Sequence, residues 1–153
     1  MARRLITRGF EQRDVSAVFD LERATVEAAH WPRSEYERLA GSSPLALVTE
    51  EAGGAIVGFL IARRAADEVE ILNLAVCGRL RRKGIASALL SRLFEKLEAA
   101  PPTRIYLEVR RSHKPAIAFY ERHGFGCVGE RRNYYRHPKE DALVLSLSKT
   151  EKI

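Results

Sequence analysis

The sequence predicts a mixed α/β fold in the order βααβββαβαββ, a sheet with helices on both faces. Three observations lead there. β-rich runs bounded by short turns alternate with amphipathic helical stretches. Near the middle, an apolar strand passes through a basic, glycine-containing turn into a long helix. The only linker-like stretches, Gly41–Pro44, Gly53-Gly54 and Ala99–Pro102, are short, and no internal repeat or low-complexity segment interrupts the order.

Taken in order, Leu5–Thr7 begins as a short strand. Asp14 stands at the N-cap of a helix with Val15, Val18, Phe19 and Leu21 on its apolar face, and a second helix follows Ser34, with Glu37 in capping-box spacing. Leu45–Thr49 and Ile56–Ala62 are β-rich runs joined across Gly53-Gly54, a hairpin signal, and Val69–Val76 is the next strand. From Gly84 a long helix carries Ile85, Leu89, Leu90, Leu93, Phe94 and Leu97 on one stripe, then stops at Ala-Ala-Pro-Pro. Ile105–Val109 reads as a strand and Pro115–Arg122 as a helix with proline in its first turn and Gly124 at its end. Strands at Cys127–Glu130 or slightly beyond and at Ala142–Leu147 flank a polar loop, Asn133–Lys139.

A chain of 153 residues, 46% hydrophobic and 30% charged, fits one domain over 1–153 with a core of its own. No apolar run is long enough to cross a bilayer, and MARRLITRGF lacks the apolar stretch and cleavage site of a secretory signal, so a cytoplasmic protein without membrane attachment is expected. Cys77 and Cys127 have no Cys or His neighbour at ligand spacing, which argues against zinc and against a disulfide framework; no metal is expected. A net charge of +6 calls for an anionic partner: nucleic acid, a ribosomal surface or a phosphorylated cofactor. A nucleic-acid-binding module should carry a helix-turn-helix, RNP or zinc pattern, and none is present.

The charge is concentrated in CGRLRRKGIAS, where Arg79, Arg81, Arg82 and Lys83 precede Gly84 at a helix N-terminus. Glycine lets the backbone approach a phosphate, the first-turn N–H groups lack intrahelical acceptors, and the helix dipole adds positive potential. The segment is neither a Walker A loop nor a GxGxxG fingerprint, which disfavours nucleoside triphosphates and NAD. Arg81-x-x-Gly84-x-Ala86, directly after an apolar strand, resembles the Q/R-x-x-G-x-G/A pyrophosphate loop of GNAT acetyltransferases. ILNLAV before it, LEVRRSHKPAIAFYERHGF after it and RRNYYRHPKEDALVLSL at the end are similar to the RimI-type enzymes of that superfamily. Ala29-His30 and Pro32–Glu35 match the family's loop between the first two helices more loosely.

The resemblance implies a mixed, mostly antiparallel central sheet of about seven strands flanked by about four helices. It implies acetyl transfer from acetyl-coenzyme A to the N-terminal α-amine of a protein, a small-subunit ribosomal protein beginning with alanine being the expected substrate. The coenzyme would lie against Leu74, Ala75, Val76, Arg81, Arg82, Lys83, Gly84, Ile85, Ala86, Ser87, His113, Ala116 and Tyr120. Ala86 replaces the commoner glycine, which a small side chain permits, and His113 replaces the usual asparagine, with an imidazole that still donates or accepts.

Acetyl transfer needs a neutral amine, a donor for the carbonyl oxygen as it gains charge, and a proton for the departing thiolate. The resemblance assigns these to Glu108 as base, the Val76 backbone N–H, and Tyr120 as acid. Glu70 matches the base of the histone acetyltransferase branch and is the partner or substitute for Glu108. Asn133-Tyr134-Tyr135 fits a loop that closes over the peptide, with Trp31 and Asn73 completing the substrate set; the amine would enter between this loop and the first two helices. The expected partner is a protein N-terminus, with no direct nucleic acid required, and the chain is expected as a monomer or weak dimer. Rival readings are acetylation of a small-molecule amine, or an acyl-coenzyme A- or nucleic-acid-binding protein without catalysis. Met1-Ala2-Arg3 also makes the chain's own start a candidate acceptor once Met1 is removed.

Overall fold

A computed structural model describes residues 4–25 and 28–148; Ala2, the candidate self-acceptor, lies outside them. The elements are β1 (Leu5–Gly9), α1 (Val15–Ala24), α2 (Arg33–Leu39), β2 (Ala46–Glu51), β3 (Ile56–Ala65), β4 (Glu68–Val76), α3 (Ile85–Leu97), β5 (Arg104–Arg110), α4 (Lys114–Arg122), β6 (Gly126–Arg136) and β7 (Lys139–Ser148). This is the expected order. The sheet has seven strands, ordered β1-β2-β3-β4-β5-β7-β6. It is mixed: β4 and β5 pair in parallel, whereas β1–β2, β2–β3, β5–β7 and β6–β7 pair antiparallel. By compactness the chain divides into two units, Met1–Arg63 with Leu72–Ala100, and Arg64–Ile71 with Pro101–Ile153.

The core of the first unit forms where α1, β2 and β3 place Val15, Val18, Ala46, Val48, Phe59 and Ile61 around Tyr36. The Tyr36 ring meets Phe10, Phe19 and Phe59 edge-on at centroid distances of 6.5, 6.3 and 6.2 Å, a geometry aromatic quadrupoles favour. On α3 Ile85, Leu89, Leu90, Leu93 and Leu97 of the expected stripe are buried, as its spacing predicts, and Phe94 is half-buried. Gly58 of β3 permits this helix to seat closely. A Cβ there would stand 2.9 Å from Ile85 Cγ2 and 3.4 Å from the Ala75 carbonyl oxygen. Ile85 is β-branched and stiff, so Gly58→Ala is expected to destabilise by about 1–3 kcal/mol, read as a lower urea midpoint at unchanged slope.

α1 starts at Val15, as expected, but Asp14 does not cap it with its side chain. The Asp14 carboxylate instead accepts from the Glu11 N–H at 2.9 Å and from both terminal nitrogens of Arg8 at 2.8 and 2.9 Å. Burial pushes the Asp14 pKa up, yet Arg8 and the Glu11 N–H outweigh it and hold the carboxyl below its ordinary value. Its side chain is 4% exposed. Arg8→Met, which strands that carboxylate, is expected to cost about 3 kcal/mol near neutral pH. A depressed carboxylate stabilises fully above its unfolded pKa of about 4 and loses that contribution as pH falls through the lower folded value. The wild-type advantage over Arg8→Met should therefore shrink in acid, in urea titrations repeated down the pH scale.

The Ser34–Glu37 capping box is not formed. α2 begins two residues earlier, at Arg33, behind Pro32 in extended conformation, so Ser34 lies inside the first turn. The fixed φ of proline sets the start instead.

In the second unit β5 alternates strictly: Ile105, Leu107 and Val109 are buried, while Arg104, Tyr106, Glu108 and Arg110 share the half-buried face. β6 and β7 differ from expectation. The stretch Asn133–Lys139 is not a loop; β6 runs through to Arg136 and β7 starts at Lys139, with Tyr135 opposite Glu140 and Arg136 opposite Lys139. Only His137 and Pro138 make the turn. The polar residues mislead because β6 is an edge strand, exposed at nearly every position, so neither face needs apolar side chains. Asn133 adopts φ 53°, donates its N–H to Asp141 Oδ1 at 2.8 Å, and marks the register shift between Arg131 and Tyr135.

No helix among the described residues is long and apolar enough to cross a membrane, and none of their His, Cys, Asp and Glu side chains group to hold a metal ion.

Candidate active site

In the first unit β4 delivers the chain to the basic turn. Along β4, Val69, Ile71, Asn73 and Ala75 are buried and alternate with half-buried Glu70, Leu72, Leu74 and Val76. The Cys77 N–H donates to the Val57 carbonyl at 2.8 Å, and buried Leu80 and Ile85 pin the turn at its two ends. Between those anchors Arg81, Arg82, Lys83 and Gly84 are all exposed. Arg82 and Gly84 both take left-handed backbone, at φ 64° and 83°, which wraps the turn onto the first residues of α3. Gly84 is the N-cap without a side-chain cap, so Ile85, Ala86 and Ser87 begin a helix whose first N–H groups have no carbonyl one turn back.

A Cβ on Gly84 would meet no atom within 4 Å, so the approach to this helix end is open to an anion. These residues fit a pyrophosphate. Arg79 does not belong with them: it is paired to Glu51 at 2.5 Å.

Asn73 and Trp31, expected at the substrate, lie in the same unit. Asn73 is buried, and its amide holds the backbone of Ala29, accepting from its N–H at 3.2 Å and donating to its carbonyl at 3.0 Å. Trp31 is half-buried, its ring 5.4 Å from that of Tyr36.

The second unit gathers the candidate acid–base groups. Glu108 has a side chain 11% exposed, with Oε2 lying 3.2 Å from Arg131 Nε on β6. That contact is not aligned as a hydrogen bond, and Glu108 Oε2 is buried with no hydrogen-bond donor among the described residues. A carboxylate oxygen in this state is a ready acceptor. The Tyr134 phenol has its pKa raised, by burial first and then by the charge and hydrogen bonding of Glu108. The Arg131 guanidinium lies 5.7 Å from the Tyr134 ring centroid, so Glu108, Arg131 and Tyr134 form one cluster.

Glu70 pairs across the parallel ladder with Tyr106, whose hydroxyl lies 3.5 Å from Glu70 Oε1. Its charge also reaches Tyr134.

Arg110 went unnoticed in the sequence. It stacks 4.3 Å from the Tyr135 ring centroid and donates to the His137 and Pro138 carbonyls at 3.2 and 2.9 Å and to Glu140 Oε1 at 3.2 Å. It thus holds the hairpin tip and Tyr135 together. The available signal was period two: Arg110 is two residues after Glu108 and shares its face of β5. Burial, then Tyr134 and Glu108, push the Tyr135 phenol up to about 12.

Tyr120 is buried in α4, its ring edge-on to Phe119 at 5.1 Å and Phe125 at 5.3 Å. Burial pushes its phenol above the ordinary value, so it stays protonated through the neutral range. His113 occupies the N-cap of α4 without capping it through its side chain, and Ala116 follows half-buried in the first turn.

Comparison with known proteins gives a consistent result. The acetyltransferase (GNAT) family profile matches residues 15–125. The chain is 32% identical over 139 residues to the ribosomal protein bS18-alanine N-acetyltransferase of Escherichia coli K12, covering 90% of this chain and 93% of that relative. The crystal structure of the Escherichia coli ribosomal-protein-S18-alanine N-acetyltransferase superposes with a TM-score of 0.82 at 30% identity, covering 95% and 94% of the two chains. Ard1 from Thermoplasma volcanium superposes with a TM-score of 0.86 at 26% identity, covering 94% and 97%.

Proposed function

The chain belongs to the acetyltransferase (GNAT) family, and from that premise we propose that it carries an acetyl group from acetyl-coenzyme A to the N-terminal α-amine of a protein. The first candidate acceptor is a ribosomal protein beginning with alanine, since the Escherichia coli relative is named for that reaction. Work on such a substrate belongs in the cytoplasm, and the whole chain, 1–153, serves as one acetyltransferase domain. The observation that carries the reading is the cluster of Glu108, Tyr134 and Tyr135, in which a buried carboxylate oxygen without a hydrogen-bond donor lies with two tyrosines held by Arg131 and Arg110.

Bound acetyl-coenzyme A supplies a thioester, an acyl donor activated for attack by an amine. In this reading Gly84, Ile85, Ala86 and Ser87 offer backbone N–H groups to the pyrophosphate, and Arg81, Arg82 and Lys83 add charge. Leu74 and Ala75 would hold the pantetheine arm, and the Val76 N–H would serve as donor to the carbonyl oxygen as it gains charge. His113 and Ala116 complete the coenzyme set.

Glu108 takes the proton of the attacking amine, directly or through water, and Glu70 assists it. An α-amine titrates near 8 and a lysine near 10.4, so lysine costs about 3 kcal/mol more to deprotonate, which suits a carboxylate base to an N-terminus. Tyr120 would serve the leaving sulfur. An ordinary phenol is about 1.5 units less acidic than a thiol, so full transfer to the thiolate is uphill by about 2 kcal/mol, and the raised value of Tyr120 steepens this. Tyr120 therefore acts first as a hydrogen-bond donor to the departing sulfur, releasing its proton late. Trp31, Tyr134 and Tyr135 contact the peptide, and Asn73 acts through Ala29.

The test is coenzyme thiol release. A peptide beginning Ala-Arg should trigger it, and spermidine should not; release with spermidine alone would favour the small-amine reading.

A further inference from the structure

Glu22 occupies a position that local physics disfavours. It is 0% exposed, and it sits in the last turn of α1, where the helix dipole opposes a negative side chain. Its carboxylate is nonetheless engaged: Oε2 accepts from the Trp31 N–H at 2.8 Å and from the Tyr36 phenol at 2.9 Å. The next residue, Arg23, donates to the Trp31 carbonyl at 3.1 Å and lies 4.8 Å from the Phe19 ring centroid. Consecutive residues of α1 thus hold both backbone groups of Trp31.

Ala29, two residues earlier, is held in the same two-point fashion by the Asn73 amide. The two clamps are joined: Tyr36 donates to Glu22 and accepts from Asn73 Nδ2 at 3.2 Å. Burial and Glu22 both raise the Tyr36 pKa, so the phenol remains a donor. Trp31, Glu22, Tyr36, Asn73 and Ala29 make one continuous chain of hydrogen bonds.

Ordinarily a short irregular connection relies on surface bonds and opens easily. Here four backbone groups of a loop are fixed by side chains from α1 and β4, three of them by buried Glu22 and Asn73 and the Trp31 carbonyl by exposed Arg23, while Ala29 and His30 between and beside the clamps are exposed. The cost of burying Glu22 is spent on the shape of an outward-facing backbone, which matters to whatever docks against it.

We propose that Glu22, Tyr36 and Asn73 are positioning residues that fix Ala29–Trp31 as a rigid wall for the acceptor's N-terminus, setting acceptor affinity without acting on the acetyl donor. This rests on the protein N-terminal reading given above.

Three variants separate it from a role in stability alone. Tyr36→Phe removes one hydroxyl and keeps the ring; Glu22→Leu removes the acceptor at similar volume; Glu22→Gln keeps an acceptor oxygen. For each, Tm, the Kd of acetyl-coenzyme A, and KM and kcat for an Ala-Arg peptide are measured. Tyr36→Phe should raise peptide KM by about tenfold and Glu22→Leu by more, since a misplacement of about 1 Å costs up to 10²-fold. Coenzyme Kd should stay within about twofold, and Glu22→Gln should recover most of the KM. Lower Tm with unchanged peptide KM in both Tyr36→Phe and Glu22→Leu would overturn the proposal and leave the network a purely structural one. If the wild type acetylates no peptide at all, the N-terminal reading falls and this inference with it.

Discussion

Glu108→Gln is expected to lower kcat/KM for an alanine-start peptide by roughly 10²- to 10⁴-fold, the usual worth of a positioned general base. Glutamine is nearly isosteric, so Tm should change little, and the Kd of acetyl-coenzyme A should stay within about twofold. The pH profile carries the diagnosis. Near pH 7 most of an α-amine of pKa about 8 is protonated, and the wild type needs a base to use it. As pH rises past that value the free amine forms unaided, so the deficit of Glu108→Gln should shrink. A deficit constant from pH 7 to 9 would mean that Glu108 shapes the site without handling a proton. Arg131, whose guanidinium lies 3.2 Å from Glu108, loses its charged partner in this variant, so stability is measured alongside.

The second large effect is expected at Gly84. Its φ of 83° lies where a β-branched residue is strained, and a new side chain would enter the open approach to the α3 N-terminus. Gly84→Val is therefore expected to weaken acetyl-coenzyme A binding by about 100-fold, equivalent to about 2.7 kcal/mol, by calorimetric titration. Because Gly84 is exposed and no atom crowds its absent Cβ, the loss in folding stability should stay near the αL strain of about 1–2 kcal/mol. Unchanged coenzyme affinity would remove this turn from the binding site.

Several of these features were legible in the sequence because they are periodic or compositionally unusual. The α3 stripe and the order of the elements follow from spacing, and the basic turn stands out because four cations crowd one glycine ahead of a helix. The hairpin of β6 and β7 was not legible. An edge strand exposed on both faces has no alternation to read, so polar residues around Asn133 resemble a loop until Asp141 is seen to hold the bulge. Partnerships set by strand register were also hidden. Arg131 reaches Glu108, and Arg110 reaches Tyr135, from segments more than twenty residues apart, whereas Arg79, adjacent to the basic turn in sequence, turns away to Glu51. Glu22 looked like any charged residue on a surface helix; its burial comes from Tyr36 and Trp31, which local pattern does not foresee.

The most direct test of the central claim is to ask which amine is acetylated. The protein and acetyl-coenzyme A are incubated with two peptides together, one beginning Ala-Arg with a free α-amine and one blocked at its N-terminus with an internal lysine, and the products are sequenced by mass spectrometry. The account expects acetyl on the alanine α-amine alone. Acetyl on the lysine alone, or on neither peptide while the coenzyme binds, would contradict it.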